Sequence, residues 1–132
     1  MIGIVIVAHG GLAREYLSAV EHVVGKQPGI VAVTIEADHD RGGKQAEICT
    51  AADDVDTGDG VVVVTDLYGG SPSNLSLLAC QPENRRILYG MNLPMLIKLA
   101  KSRQKDVPDA VKGALEAGRK YIDSVNVKPE PL

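Results

Sequence analysis

Val61-Val62-Val63-Val64-Thr65-Asp66 leaves a folding chain few options. Four consecutive valines place branched apolar groups on both faces of an extended strand and disfavour a helix. Such a strand is stable only when both faces are covered, as in the interior of a parallel sheet flanked by helices. Ile2 to Ala8 makes the same demand, and Ile30 to Glu36 and Arg86 to Tyr89 add two further β-rich runs. Between them the apolar spacing turns helical. Leu12, Tyr16, Val20 and Val24 recur every fourth residue before Gly25, a left-handed stop, and Pro28-Gly29 turns the chain. Ile48, Cys49, Ala52 and Val55 mark a weaker helix from Lys44 to Asp54. Ser71-Pro72 reads as an N-cap followed by proline at the first helical position, and Pro94 repeats the device. A last helix from Pro108 carries Val111, Leu115, Gly118, Ile122 and Val125 on one face.

This alternation predicts a doubly wound α/β fold, with a mainly parallel sheet in the common order 2-1-3-4 and helices on both faces. Residues 1–128 are expected to form one domain. Within it, Ser124-Val125-Asn126-Val127-Lys128 alternates like a short edge strand, and 129–132 reads as a flexible tail.

Composition narrows the function classes. Phe and Trp are absent, so the interior must be aliphatic, and 14 basic against 17 acidic residues form no long run of either sign. No footprint for nucleic acid or an anionic membrane results. The apolar runs fall far short of the roughly 20 residues that cross a bilayer, and no leader pattern opens the chain, so a cytoplasmic protein is expected. Cys49 and Cys80 lack metal or redox spacing and read as structural thiols.

Ligands of open α/β sheets bind beyond the carboxyl ends of the strands, where the strand order reverses. That places His9 across a crevice from Asp66, with Gly69-Gly70-Ser71-Pro72-Ser73-Asn74 beside them and Gly90-Met91-Asn92-Leu93-Pro94 after the fourth strand. A carboxylate on one ring nitrogen fixes the tautomer, frees the other nitrogen's lone pair and stabilises the charge that develops on attack. Glycine amides at a helix start suit an anion, and the combination points to a phosphohistidine. His22 and His39 read as solvated surface. Gly42-Gly43-Lys44 lacks the earlier glycine of a P-loop, and Gly69-Gly70-Ser71-Pro72-Ser73 lacks the second glycine of a nucleophile elbow. No metal-ligand spacing or cofactor motif is found, so neither group is expected.

With the strand ending in His9-Gly10, the segment Asp66 to Asn74 and the segment Gly90 to Leu96 in family order, the sequence resembles the enzyme IIA component of the mannose class of the bacterial sugar phosphotransferase system. The resemblance implies a phosphotransferase in which His9 accepts a phosphoryl group from the phosphocarrier protein HPr and passes it to an enzyme IIB partner in sugar uptake. It implies that Asp66 orients His9, that Ser71 and the amides of Gly69 and Gly70 hold phosphoryl oxygens, and that Asn92 approaches from the fourth-strand loop. It further implies a homodimer that exchanges its last strand. Some relatives continue into a fused IIB domain; here the sequence stops at Leu132 and a separate IIB protein is expected. Relay chemistry rests on positioning and charge stabilisation, without a metal ion. Leu12, Met91 and Leu93 could either rim His9 for a transient partner or belong to the core.

Two other roles fit parts of the pattern. Relatives in incomplete phosphotransferase systems act as regulators whose phosphorylation state is sensed, with no sugar transported. A strand ending in His-Gly also resembles small tetrapyrrole metal chelatases, which need a second metal-binding histidine that no strand end supplies here. Dihydroxyacetone-kinase phosphotransfer subunits share the fold and His9 but not the Gly-Gly-Ser-Pro loop.

Overall fold

The apolar runs form four parallel strands, β1 (Gly3–His9), β2 (Ile30–Ile35), β3 (Val61–Thr65) and β4 (Arg85–Leu88), in the order β2-β1-β3-β4. They belong to a computed structural model that describes residues 1–129. Val61 to Val64 are all fully buried, as a strand apolar on both faces requires. Each contributes about 1.5 to 3 kcal/mol relative to an exposed side chain.

Strand alternation sorts the core into two halves. Ile4, Ile6, Ala8, Val62 and Val64 meet α1 (Leu12–Val24), α4 (Leu93–Ala100) and α5 (Val107–Lys120) on one face. Val5, Val7, Val61 and Val63 meet α2 (Arg41–Val55), α3 (Ser71–Leu75) and a 3-10 turn (Leu78–Cys80) on the other. Gly3 is required where α2 crosses β1, because a Cβ there would collide with the backbone oxygen and Cγ2 of Val55.

Two arginines tie the layers together. Arg103, only 4% exposed, donates from Nε to the Ile2 carbonyl at 2.7 Å, from Nη1 to Pro28 at 2.5 Å and from Nη2 to Gly29 at 3.1 Å. Arg85 bridges Asp53 and Asp56 at 2.9 and 3.1 Å and donates to the Ala79 carbonyl. Hydrogen bonds from the Gly58 amide, with those from Arg85 and Gly60, hold the Asp56 carboxyl below its ordinary pKa. Cys49 and Cys80 are half-buried against the α2 core, and desolvation pushes the Cys80 thiol up to about 11 and raises Cys49. Both stay protonated and poorly nucleophilic at neutral pH.

Several boundaries differ from the sequence reading. α2 starts at Arg41 rather than Lys44, because Asp40 caps it by accepting from the Gly43 amide at 2.8 Å. Gly70, not Ser71, is the N-cap of α3, with Ser71 the first helical residue. α5 ends at Lys120, so Ile122 and Val125 lie beyond it and are 73% and 81% exposed. The segment expected as an edge strand is not a strand here: residues 122–129 are irregular and exposed. A strand needs a neighbour's backbone groups, and this segment is paired with neither free edge of the sheet. Beyond Pro129, the expected tail lies outside the described residues. Among those described, no helix is long and apolar enough to cross a membrane.

Candidate functional site

Parallel register decides which side chains meet. Val7 stands beside Thr65 and His9 beside Ile35, so the end of β1 lies between the ends of its two neighbours. Asp66, the first residue after β3, then faces His9. A single carboxylate oxygen, Oδ2, accepts from the His9 backbone amide at 3.1 Å and lies 2.8 Å from ring Nδ1. The ionised carboxylate can only accept, so the proton sits on Nδ1 and the lone pair on Nε2. The histidine side chain is 48% exposed and the aspartate 14%. Asp66 Oδ1 is buried and has no partner among the described residues.

Gly70 packs directly on the imidazole. A Cβ at that position would lie 3.1 Å from His9 Cε1 and 3.6 Å from Nε2. The preceding turn is internally braced: the Gly69 amide donates to Ser73 Oγ at 3.4 Å, Asn74 Nδ2 donates to the Gly69 carbonyl at 3.3 Å, and Gly69 holds φ at +80°. No side chain caps the first turn of α3. Ser71 lines a small cavity of about 150 Å³ together with Ile35, Arg41 and Lys44.

The structure thus brings His9, Asp66 and Gly70 together, with Gly69 and Ser71 next along the chain. Asn92 is engaged elsewhere. Its Oδ1 accepts from the Met95 amide at 3.0 Å as the cap of α4, and its Nδ2 donates to the Gly118 carbonyl at 2.7 Å. Both ends of the amide therefore join the β4 loop to α5.

Of the three apolar groups weighed in the sequence as rim or core, only Leu12 is exposed. Met91 is in the core and Leu93 packs partly buried against it, whereas Leu12, Leu67 and Tyr68 are 41%, 56% and 76% exposed. Leu67 Cδ2 lies 3.6 Å from where a Gly70 Cβ would be, and Tyr68 stacks edge-on against Tyr89 with centroids 4.9 Å apart. Leu67 and Tyr68 were legible as large apolar residues inside a glycine turn, where burial is difficult. His22 is exposed, as expected for surface. His39 is half-buried, and its Nδ1 accepts the Glu36 amide at 3.0 Å. Glu36, Asp38 and His39 could bring ligand atoms together. The Nδ1 bond leaves the proton on Nε2, however, the reverse of a metal-ligating histidine, which donates its second nitrogen outward.

A parallel 2-1-3-4 sheet with a histidine and an aspartate paired across the strand-order reversal defines an α/β protein with an oriented imidazole. The family model described as "PTS system fructose IIA component" (EIIA-man) matches residues 3–116, and the chain belongs to that family. It is 28% identical over 131 residues to the "PTS system mannose-specific EIIAB component" of Escherichia coli (strain K12), covering 97% of this chain and 41% of that relative. The chain thus spans less than half the length of that relative. It is also 28% identical over 98 residues to the "PTS system sorbose-specific EIIA component" of Lacticaseibacillus casei, covering 74% of this chain and 70% of that one. The structure of phosphotransferase system component EIIA from Streptococcus agalactiae superposes with a TM-score of 0.84 at 29% identity, covering 94% and 97% of the two chains. The mannose/sorbose-specific IIA subunit from Enterococcus faecalis has the same fold, with a TM-score of 0.85 at 23% identity and 98% of each chain covered.

Proposed function

We propose that this chain is a phosphoryl-relay protein of the cytoplasm, in which His9 Nε2 accepts a phosphoryl group from phospho-HPr and passes it to an enzyme IIB partner in sugar uptake. The shared Oδ2 contact carries this reading, because it holds backbone and ring of His9 to one anion and directs the Nε2 lone pair outward. In the transfer, Nε2 forms a bond to phosphorus as the bond from phosphorus to the donor's ring nitrogen breaks, and that nitrogen keeps the electron pair. The Nδ1 proton stays on His9, where Asp66 balances the developing positive charge. The amides of Gly70 and Ser71 at the uncapped start of α3, with Gly69 shaping the turn, lie near the phosphoryl oxygens. Asn92 acts through its cap, by fixing the β4 loop. Positioning supplies most of the rate, and no metal step is needed. Leu12, Leu67 and Tyr68 form the exposed apolar surface on which the donor docks. The apolar, unpaired segment 122–129 supports a homodimer that exchanges this segment as a strand.

Incubation with phospho-HPr should place label on the wild-type chain and none on His9→Ala. An unlabelled wild type, or equal labelling of the variant, ends the relay reading. A finer probe is Gly70→Ala. Its φ of −80° suits alanine, so the fold should stand, but the new Cβ crowds the ring. Transfer should slow by about tenfold to a hundredfold with little change in Tm.

A further inference from the structure

The first turn of α2 breaks rules that other helix starts in this chain follow. Arg41-Gly42-Gly43-Lys44 carries two cations and no acid, where the helix dipole disfavours positive charge. α1 and α5 have Glu15 and Asp109 in the corresponding turn. Two adjacent glycines, the poorest helix formers after proline, weaken it further. Gly43 has a local reason, since a Cβ there would lie 2.9 Å from the capping Asp40 Oδ2. Arg41 has none. It is exposed and makes no ion pair or side-chain hydrogen bond among the described residues, whereas Lys44 is held by Glu47 at 2.7 Å.

Position supplies the missing reason. Arg41 and Lys44 line the cavity of about 150 Å³ that Ser71 and Ile35 also line. Ser71 follows Gly70, which packs on the His9 ring, and Ile35 is the register partner of His9. Glu36 contributes one negative charge to the same cavity, His39 also lines it, and Lys44 is engaged with Glu47, so Arg41 is the uncommitted cation of a cavity that borders the site through Ser71 and Ile35. A locally unfavourable choice at the border of a candidate site points to function.

We propose that Arg41, supported by Lys44, is the countercharge for the phosphoryl group on His9. The inference rests on the relay reading of His9. A phosphoryl group brings roughly two negative charges, and a guanidinium suits its oxygens. In the unmodified protein Arg41 makes no direct ion pair among the described residues; after phosphorylation it is paired. Arg41 thus tunes, by pairing with the group itself, how readily His9 holds its phosphoryl group.

The test uses two donors, phospho-HPr and the small molecule phosphoramidate, on wild type, Arg41→Gln and Arg41→Glu. The wild type should be labelled by both. Arg41→Glu should cut the equilibrium fraction of phosphohistidine about tenfold with either donor, and Arg41→Gln by less. The unmodified Arg41→Gln protein should meanwhile keep its Tm, because Arg41 makes no side-chain hydrogen bond or ion pair among the described residues. A merely structural arginine would lower both quantities together. Equal occupancy in wild type and Arg41→Glu overturns the proposal while leaving the relay intact. A defect with phospho-HPr alone makes Arg41 a docking contact and refutes the countercharge role. A wild type labelled by neither donor removes the relay reading and this inference with it.

Discussion

Asp66→Asn should lower the rate of phosphoryl acceptance by His9 about a thousandfold, within the range for losing an orienting carboxylate. The native oxygen takes both the backbone amide and ring Nδ1 of His9. An asparagine can offer its NH2 to Nδ1, which moves the ring proton to Nε2 and blocks the lone pair that must attack. Even with its oxygen toward the ring, a neutral amide cannot balance the imidazolium that forms. Stability should change little when the amide oxygen takes the Oδ2 place, because it still accepts the His9 backbone amide and the buried Oδ1 place has no partner among the described residues to lose. Transfer from phospho-HPr and thermal unfolding, measured side by side, check the two halves. A variant within fivefold of wild-type rate would remove Asp66 from the mechanism.

Arg103→Met should destabilise the fold by about 3 kcal/mol without touching the site. The guanidinium serves the carbonyls of Ile2, Pro28 and Gly29, joining the turn after α4 to the start of β1 and the turn before β2. Methionine fills much of the volume but offers no donor to the Ile2 and Pro28 carbonyls, while Gly29 keeps the Ile4 amide. Burial lowers the arginine's own pKa through desolvation, and no carboxylate offsets that cost, which keeps the expected loss below the sum of three hydrogen bonds. A fall in Tm of about 10 °C follows for a chain of this size. Arg103→Lys should recover only part of it, because an ammonium lacks the planar fork. A methionine variant melting like wild type would show that water replaces the guanidinium at no cost.

The sheet was legible because its signal is repeated. Each of Val61 to Val64 demands cover, the four runs share one spacing with helices, and the strand-reversal rule then juxtaposes His9 and Asp66 without further information. The missed features depend on one side chain reaching one backbone group. Asp40 capping onto Gly43 starts α2 through a Gly-Gly pair that propensity assigns to a loop, and Gly70 takes the capping place that Ser71 fills on paper. Asn92 has the chemistry to meet a phosphoryl group, yet the nearer Met95 amide and Gly118 carbonyl claim it. Arg103 carries no sequence signal of its role, because nothing local reveals three carbonyls gathered from distant turns. The alternating segment 124–128 shows strand propensity without a strand, since pairing is a property of two edges.

His9 and Asp66 are 57 residues apart in the chain, and the contact between them spans the seam where β1 and β3 join. On the proposed relay, an unassembled polypeptide therefore carries the nucleophile but not its aim. Chemical competence switches on only when the middle of the sheet has zipped, so the pace at which a refolding sample regains label uptake is a clock for that assembly step.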